Sequence, residues 1–167
     1  MIVHRLSTID HGLNISFMIE NQKQYYPPMH TAEHILNQTM DRMYGCGRSF
    51  NSHIERKKSK CDYKITHALT DEEVTAIQLK VNEIIQSNLN VTEEFIPKEE
   101  AMGKFNLSKL PSDAGDTLRI IKVGDYDACP CSGLHVTNTS EIGEFMIASA
   151  SFENGAVRLR FKIKEPQ

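Results

Sequence analysis

The sequence predicts an α+β fold in which an antiparallel β-sheet is flanked by helices. Helical and strand patterns follow each other in a mixed order, without the regular alternation typical of a parallel sheet. Asn154-Gly155 lies between two apolar segments, a combination that predicts a tight antiparallel hairpin. The 167 residues are 40% hydrophobic and 25% charged, which is enough for one domain with a packed core.

The first third of the sequence predicts one strand, one helix and one hairpin. A period of two predicts a strand that contains Leu13, Ile15, Phe17 and Ile19. After Pro27-Pro28, residues 30–44 predict a helix that ends at Gly45. The apolar positions of this helix are Ile35, Leu36, Met40 and Met43. Residues 50–66 predict two strands that are joined by the basic run at 56–60.

The rest of the sequence predicts a second long helix and several strands. Thr70 and Glu73 form a capping box, so a helix begins there and ends near residues 88–90. The remaining predicted elements are a strand at 91–96, a short helix at 98–105, a loop at 108–115, a buried strand at 118–123, a turn-rich segment at 129–135, and strands at 142–152 and 156–163.

Charge and cysteine content narrow the class of protein. There are 19 Lys and Arg residues against 22 Asp and Glu residues, and this net charge of −3 argues against a surface that is basic throughout. Four cysteines are too few for a secreted disulfide framework. We find no signal peptide and no membrane-spanning segment, so a soluble cytoplasmic protein is expected. The sequence gives no indication of the oligomeric state.

Basic residues are concentrated in the predicted hairpin and in the last strand. This local charge could position a phosphate backbone, although solvated strand faces have the same composition. The candidate residues for this phosphate contact are Arg56, Lys57, Lys58, Lys60, Arg158 and Arg160.

Two short motifs carry candidate metal ligands. His30 and His34 are four residues apart, so a helix places both imidazoles on one face. Cys131 and His135 are also four apart, with Gly133 between them. Three imidazoles and one thiolate suit Zn²⁺ and suit Mg²⁺ or Ca²⁺ poorly. Cys129 is an alternative to Cys131 as the thiolate ligand, and its role stays open.

The first motif also has a second interpretation. Residues 30–34 match H-x-x-E-H, the pattern of a zinc peptidase in which Glu33 would be the general base. The thiolate arm is not part of such a site. Four protein ligands would close the metal shell, which is typical of structural zinc, so a catalytic zinc would need one loose ligand, and His135 is the candidate.

Several motifs together resemble a known family, the editing domain of alanyl-tRNA synthetase, and its free-standing relatives, the AlaX proteins. The editing domain of threonyl-tRNA synthetase is more distantly similar. The resemblance covers residues 29–164. The matching segments are HTAEHIL at 30–36, KCDY at 60–63, LTDEE at 69–73, EEA at 99–101, CSGLHV at 131–136 and EIG at 141–143.

This resemblance implies a zinc-dependent hydrolase that removes an amino acid, chiefly serine and sometimes glycine, from mischarged alanine tRNA. It implies zinc at His30, His34, Cys131 and His135, and the antiparallel fold of that editing domain. It also implies that residues 29–167 form a zinc-binding tRNA-editing domain behind a short extension at residues 1–28. A non-catalytic domain with structural zinc, which binds tRNA or a protein, is a further alternative.

The sequence departs from the family pattern at two places. The family's Cys-Gly-Gly-Thr-His becomes Cys-Ser-Gly-Leu-His, and Leu134 removes a hydroxyl beside the expected metal. The family's Gln-x-Gly-Ser stretch, which borders the substrate pocket, falls near residues 50–53 and is not reproduced. The substrate-binding candidates in this region are Asn51, Ser52 and His53. Asp62 is expected to order the neighbouring hairpin.

Overall fold

The computed structural model describes residues 26–167. The strand predicted at residues 13–19 and nearly all of the extension at 1–28 lie outside the described residues. The domain boundary after residue 28 therefore stays a prediction. None of the helices within the described range is both long enough and apolar enough to cross a membrane.

The first described helix, α1 (Pro27–Tyr44), carries the first pair of histidines. It has proline at its first position, where no backbone N–H donor is needed. It ends at Gly45, which has a φ of 60°, as the sequence predicts. Ile35, Leu36 and Met40 are completely buried, but Met43 is 41% exposed because it lies at the edge of the apolar face.

In the described part of the chain, seven strands form two antiparallel sheets, which confirms the α+β class. The strands are β1 (Asn51–His53), β2 (Ser59–Tyr63), β3 (Val91–Pro97), β4 (Thr117–Val123), β5 (Asp127–Pro130), β6 (Glu144–Glu153) and β7 (Ala156–Lys164). One sheet has the order β1-β2-β7-β6 and the other has the order β3-β4-β5. Strand β5 overlaps a segment predicted as turns, because four residues are too few to show an alternation.

Further helical elements connect the strands. The long helix α2 (Asp71–Gln86) begins with the predicted capping box of Thr70 and Glu73. The short helix α3 (Lys98–Met102) follows β3, and a 3-10 turn (Thr139–Glu141) precedes β6. In α2 the buried residues Ile77, Val81 and Ile85 lie on one side and pack into the main core.

The main core lies between α1, α2 and the inner face of the four-stranded sheet. Strand β7 buries Val157, Leu159 and Phe161 on this face, and Phe161 packs against Phe145 with ring centroids 5.2 Å apart. Full burial of such a side chain stabilises the fold by about 1.5–3 kcal/mol. The alternate residues of β7 face outward, as the period of two predicts.

Side chains of α2 cover the outer edge of β6. Asn82 donates to the carbonyl of Phe145 and accepts from the Phe145 N–H, at 2.8 and 2.9 Å. Gln78 accepts from the Ile147 N–H at 2.8 Å. The helix therefore satisfies backbone groups of an edge strand, which would otherwise be open to pairing with another chain.

The Glu141-Ile142-Gly143 segment makes the turn into β6. Glu141 Oε1 accepts from the Asn138 N–H at 2.9 Å and closes a capping box. Gly143 has a φ of 90°, and a Cβ atom there would lie 2.2 Å from the carbonyl oxygen of Lys164. Only glycine allows this backbone approach. The turn into β6 therefore requires glycine at position 143.

The outer face of the four-stranded sheet carries a buried carboxylate. Asp62 accepts two hydrogen bonds from Arg158, at 2.7 and 2.8 Å, and one from Asn51 at 2.8 Å. Both partners are cross-strand neighbours of Asp62. Asp62 thus joins β1, β2 and β7, in agreement with its expected role in ordering the hairpin.

We predict that Asp62→Asn weakens the fold in a pH-dependent way. The hydrogen bonds from Arg158 lower the pKa of Asp62 and outweigh the opposing effect of burial. A carboxylate with a lowered pKa stabilises the folded state above the unfolded pKa of about 3.9, and this stabilisation is lost as the pH falls through the folded pKa. The difference in unfolding free energy between wild type and variant should therefore shrink from about pH 7 to about pH 3.

Urea denaturation at several pH values measures this difference. The control is Asp113→Asn, which changes an exposed loop carboxylate in the same way. A difference for Asp62→Asn that stays constant across this pH range would contradict the prediction.

Candidate metal centre

The helix α1 and the segment after β5 bring four metal-binding side chains together. One donor atom from each of His30, His34, Cys131 and His135 lies within 4.8 Å of the other three. The Cys131 sulfur lies 3.5 Å from His30 Nε2 and 3.4 Å from His135 Nε2. The sequence interval of about one hundred residues is closed because β5 packs beside α1.

Two of the imidazoles are oriented by fixed hydrogen-bond acceptors. His30 Nδ1 lies 3.1 Å from the carbonyl oxygen of Leu134, which can only accept, so Nδ1 carries the proton. His135 Nδ1 lies 3.0 Å from the Thr31 hydroxyl. That hydroxyl donates its single proton to the Pro27 carbonyl, so it must accept from His135. Nε2 of each ring, beside Cys131, is therefore the nitrogen that can offer a lone pair to a metal.

The third imidazole is held by a buried carboxylate. His34 Nδ1 lies 3.4 Å from Asp127 Oδ2, and the Asp127 side chain is only 1% exposed. Arg48 donates to both Asp127 oxygens, at 2.7 and 3.2 Å. An outer carboxylate of this kind fixes the ring orientation of a metal-binding histidine and leaves Nε2 as the donor.

The loop that contains Cys131 is fastened to strand β4. Arg119 Nη1 donates to the carbonyl oxygens of Cys131 and Gly133, at 3.1 and 2.7 Å. The Cys131 N–H in turn donates to the Arg119 carbonyl at 3.1 Å. Arg119 also pairs with Glu93 on the neighbouring strand β3. This arrangement fixes the position of the thiolate relative to the small sheet.

The electrostatics of the cluster favour a thiolate. Burial opposes ionisation of Cys131, but its close contacts with the imidazoles of His135, His30 and His34 outweigh burial and lower the pKa of the thiol to about 3. Burial lowers the pKa of His135 to about 4. Burial also opposes protonation of His34, but its bond to Asp127 raises the pKa of this imidazole well above the usual value. At neutral pH Cys131 and His135 are therefore ready to bind a metal, whereas His34 must release a proton.

Cys129 lies beside the cluster in a second, overlapping group. Its sulfur is 3.7 Å from His34 Nδ1, and it groups with His34 and Asp127. Arg48 already donates to both oxygens of Asp127, so this carboxylate has a charged partner without a metal. Cys131, and not Cys129, is thus the thiol that lies with all three histidines in the part of the chain that the structure describes.

These contacts bear on two expectations from the sequence, the lost hydroxyl at Leu134 and the loose binding of His135. The Leu134 side chain is 48% exposed, and the residue serves the cluster through its backbone carbonyl, so loss of the threonine hydroxyl removes no anchor from His30. His135 has an anchor of the same kind as the other two histidines. Its contacts therefore do not mark it as a looser ligand.

The candidate substrate residues lie on the exposed edge strand β1 and are not part of the cluster. Asn51 bonds to Asp62, and His53 lies 2.7 Å from Glu55. Their role in substrate binding stays a prediction.

Glu33, the general base of the peptidase interpretation, lies beside the cluster. It is buried, and its Oε2 lies 3.7 Å from His30 Nε2.

The candidate tRNA-binding residues occupy the outer face of the large sheet and the β1–β2 loop. Arg56 pairs with Glu165 at 2.9 Å, and Arg158 pairs with Asp62, so these two cations are engaged within the chain. Lys57 and Lys58 are exposed in the loop. Lys60 and Arg160 are cross-strand neighbours on the outer face.

Four residues that support the cluster were not found from the sequence. They are Thr31, Arg48, Arg119 and Asp127. Thr31 lies inside the first histidine motif, where its hydroxyl was a usable signal. Arg48, Arg119 and Asp127 act only through contacts across the fold, and no local pattern in the sequence predicts those contacts.

Comparison with known proteins identifies similar sequences. A family described as the Threonyl and Alanyl tRNA synthetase second additional domain matches residues 118–159, which include Cys131 and His135. Alanine–tRNA ligase of Fervidobacterium nodosum is 35% identical over 130 residues, which are 77% of this chain and 15% of that protein.

Two further ligases show similar coverage. Alanine–tRNA ligase of Staphylothermus marinus is 32% identical over 170 residues, 96% of this chain and 19% of the ligase. That of Bacillus velezensis is 32% identical over 146 residues, 86% of this chain and 17% of the ligase. The chain thus spans less than a fifth of the length of these relatives.

We predict that Thr31→Val weakens metal binding by about 10–100-fold, the usual cost of losing a partner of a metal ligand. The change keeps the side-chain shape but leaves His135 Nδ1 without its acceptor. Zinc affinity, measured by competition with a chelating dye, tests this expectation. Thr39→Val is the matched control, because it removes a buried hydroxyl on the same helix that bonds to Ile35 and Tyr126. Equal losses in the two variants would contradict the prediction.

Proposed function

Because the chain belongs to the alanyl-tRNA synthetase editing-domain family, we propose that it is a zinc-dependent hydrolase that removes a wrongly attached amino acid, serine or glycine, from alanine tRNA. The observation that carries this proposal is the convergence of His30, His34, Cys131 and His135 on one point. Cys131 and His135 also lie within the segment that matches the family.

The proposed metal is zinc, with those four side chains as its ligands. Imidazole and thiolate donors suit zinc, and oxygen-preferring cations would leave them unused. When bound there, zinc would supply positive charge that stabilises the charge developing on the ester carbonyl during hydrolysis.

The protein's own residues would hold this centre rigid. Thr31, Asp127 and the Leu134 carbonyl each retain the Nδ1 proton of one histidine. Arg119 holds the Cys131 loop through its carbonyl groups. Such fixed donors lower the cost of reorganisation when the ester between the amino acid and the terminal ribose is positioned for attack.

The outer face of the large sheet is the proposed contact with the tRNA backbone. His53, Lys60 and Arg160 form a cross-strand row on this face. Like charges directly opposite each other on a sheet are unfavourable, and a phosphate group between Lys60 and Arg160 would relieve their repulsion. The net charge of −3 does not prevent this contact, because the basic residues are concentrated locally.

We propose that the protein acts in the cytoplasm, where aminoacyl-tRNA is made and used. By its resemblance to free-standing relatives, it would hydrolyse the ester without an attached aminoacylation domain. An assay with this chain alone tests that part of the proposal.

A zinc peptidase is the second candidate function. The observation that favours it is the position of the Glu33 carboxylate beside His30, as a general base in H-x-x-E-H would require. The similarity to alanine–tRNA ligases favours ester hydrolysis on tRNA instead.

We predict that the zinc-loaded protein deacylates alanine tRNA charged with serine faster than the same tRNA charged with alanine. Release of the labelled amino acid measures the rate. His34→Ala, Cys131→Ala and removal of zinc by a chelator should each reduce the rate to that of uncatalysed hydrolysis. Cys46→Ala and His67→Ala are the controls, since they remove the same side-chain types outside the cluster, and they should keep the wild-type rate.

The other functions give different results in this assay. If the zinc-loaded protein hydrolyses none of the charged tRNAs, the proposal is wrong and a non-catalytic zinc domain is favoured. Hydrolysis of peptides that is lost in Glu33→Ala would instead identify a peptidase.

We also predict that Lys60→Gln combined with Arg160→Gln weakens tRNA binding. Each lost phosphate contact should reduce the slope of log affinity against log salt by about one. Filter binding over a range of salt concentrations measures this slope. Lys104→Gln, a change at an exposed lysine that pairs with Glu100 on another part of the surface, is the control. An unchanged slope in the double variant would contradict the proposed tRNA face.

A further inference from the structure

Glu33 is a buried carboxylate next to the metal-binding cluster. It is 9% exposed, and it lies one turn after His30 on α1. Its Oε1 accepts a hydrogen bond from Asn37 Nδ2 at 2.9 Å, and its Oε2 lies 3.7 Å from His30 Nε2. The cluster uses the other nearby carboxylate, Asp127, to hold His34, but it leaves Glu33 without such a task.

A buried polar network fixes the orientation of Glu33. The oxygen of the Asn37 side chain accepts from the Tyr63 hydroxyl at 3.0 Å and from the Ser49 N–H at 2.9 Å. These contacts point the Asn37 amide nitrogen at Glu33 and hold Oε1 in place. Asn37 and Tyr63 are themselves 3% and 0% exposed, so this arrangement is rigid and Oε2 is kept beside the cluster.

A buried carboxylate such as that of Glu33 is stabilised by a neighbouring cation. A carboxylate removed from water is costly unless a positive group or a metal compensates it. Within residues 26–167, no lysine or arginine forms an ion pair with Glu33. Arg48, a cation whose charge interacts with Glu33, is bound to Asp127 through both carboxylate oxygens.

The proposed substrate supplies such a cation at the required place. Serine, glycine and alanine esters each carry one positive group, the α-ammonium, on the carbon atom next to the ester carbonyl. If the carbonyl lies at the metal centre, the ammonium lies beside it. It is then within reach of a carboxylate oxygen that borders His30.

We propose that Glu33 binds the α-ammonium group of the aminoacyl ester and so orients the ester carbonyl at the metal centre. This inference rests on the proposed function. Because the ammonium is common to all amino acids, Glu33 recognises the aminoacyl backbone. The side chain of the amino acid must therefore be distinguished by other residues.

The test compares two esters of the same alanine tRNA. One carries serine, and the other carries glyceric acid, in which a hydroxyl replaces the ammonium. A charge-assisted hydrogen bond is worth about 1.5–3 kcal/mol, so wild type should hydrolyse the serine ester about 10–100-fold better in kcat/KM. Glu33→Gln, which keeps the size of the side chain and can still accept from Asn37, should lose this preference. Its rate should fall far less on the glyceric acid ester than on the serine ester.

Four outcomes would overturn the inference. An equal fall on both esters in Glu33→Gln would identify a general base or a structural residue. Loss of bound zinc in this variant would mean that Glu33 serves the metal alone. If wild type hydrolyses both esters equally, the inference fails while the proposed function stands. If wild type hydrolyses neither ester, the proposed function itself fails, and the inference fails with it.

A binding measurement provides a second readout, independent of hydrolysis. The probe is 3′-serylamino-3′-deoxyadenosine, in which an amide replaces the ester, and its partner is the glyceric acid analogue. Calorimetry should show tighter binding of the seryl probe to zinc-loaded wild type and equal binding of both probes to Glu33→Gln. Glu72→Gln, an exposed position on α2, is the control and should behave as wild type. Retention of the preference in Glu33→Gln would overturn the inference.

Discussion

The hydroxyl of Thr31 is the contact on which the metal-binding cluster depends most. It donates to the first turn of α1 and accepts from both His135 and the Val136 N–H, so it ties the helix to the distant segment that follows β5. Without this hydroxyl, the helix would lose its hydrogen bonds to His135 and to the Val136 N–H. The buried Asp127 holds His34 in a similar way, because it connects the helix and the Arg48 loop to the small sheet. The cluster is therefore a cross-link between elements that are far apart in sequence.

Rigidity around the cluster comes from polar groups that are fully partnered. Within the described residues, no buried side-chain nitrogen or oxygen lacks a hydrogen-bond partner. The network from Tyr63 through Asn37 to Glu33 links the core of the large sheet to the wall of the site. Burial of these groups is tolerable because each one is satisfied. The same network makes the position of the Glu33 carboxylate a property of the fold.

Much of the architecture follows from local patterns in the sequence. The capping box at Thr70, the alternation in β7 and the Asn154-Gly155 turn each depend on neighbouring residues, and the structure confirms them. The short strand β5 was missed because four residues are too few to show a periodicity, although its pairing with β4 is a local hairpin. The division into two sheets was missed for a different reason, because strand order depends on which surfaces meet in space.

In the candidate site, too, local patterns in the sequence predict some residues, and contacts across the fold determine the others. Spacing within two motifs was sufficient to name the four donors that the fold brings together. It was not sufficient to name Asp127, Arg48 or Arg119, because their roles depend on partners in other elements. Spacing also gave Glu33 a role only under the peptidase interpretation, as a general base. The structure shows instead that Glu33 is buried and bonded to Asn37.

The use of the Leu134 backbone to hold His30 has a consequence for evolution. A main-chain carbonyl is present whatever residue occupies the position, so a mutation there leaves the histidine anchored. The side chain at 134 is half exposed and takes no part in the hydrogen bond to His30. Substitution of this side chain should therefore leave that hydrogen bond intact. In the motif Cys-Ser-Gly-Leu-His, the fourth residue contributes through its backbone and the fifth through its side chain. A chain can therefore differ from the family's motif at the fourth position and keep the same arrangement of donors.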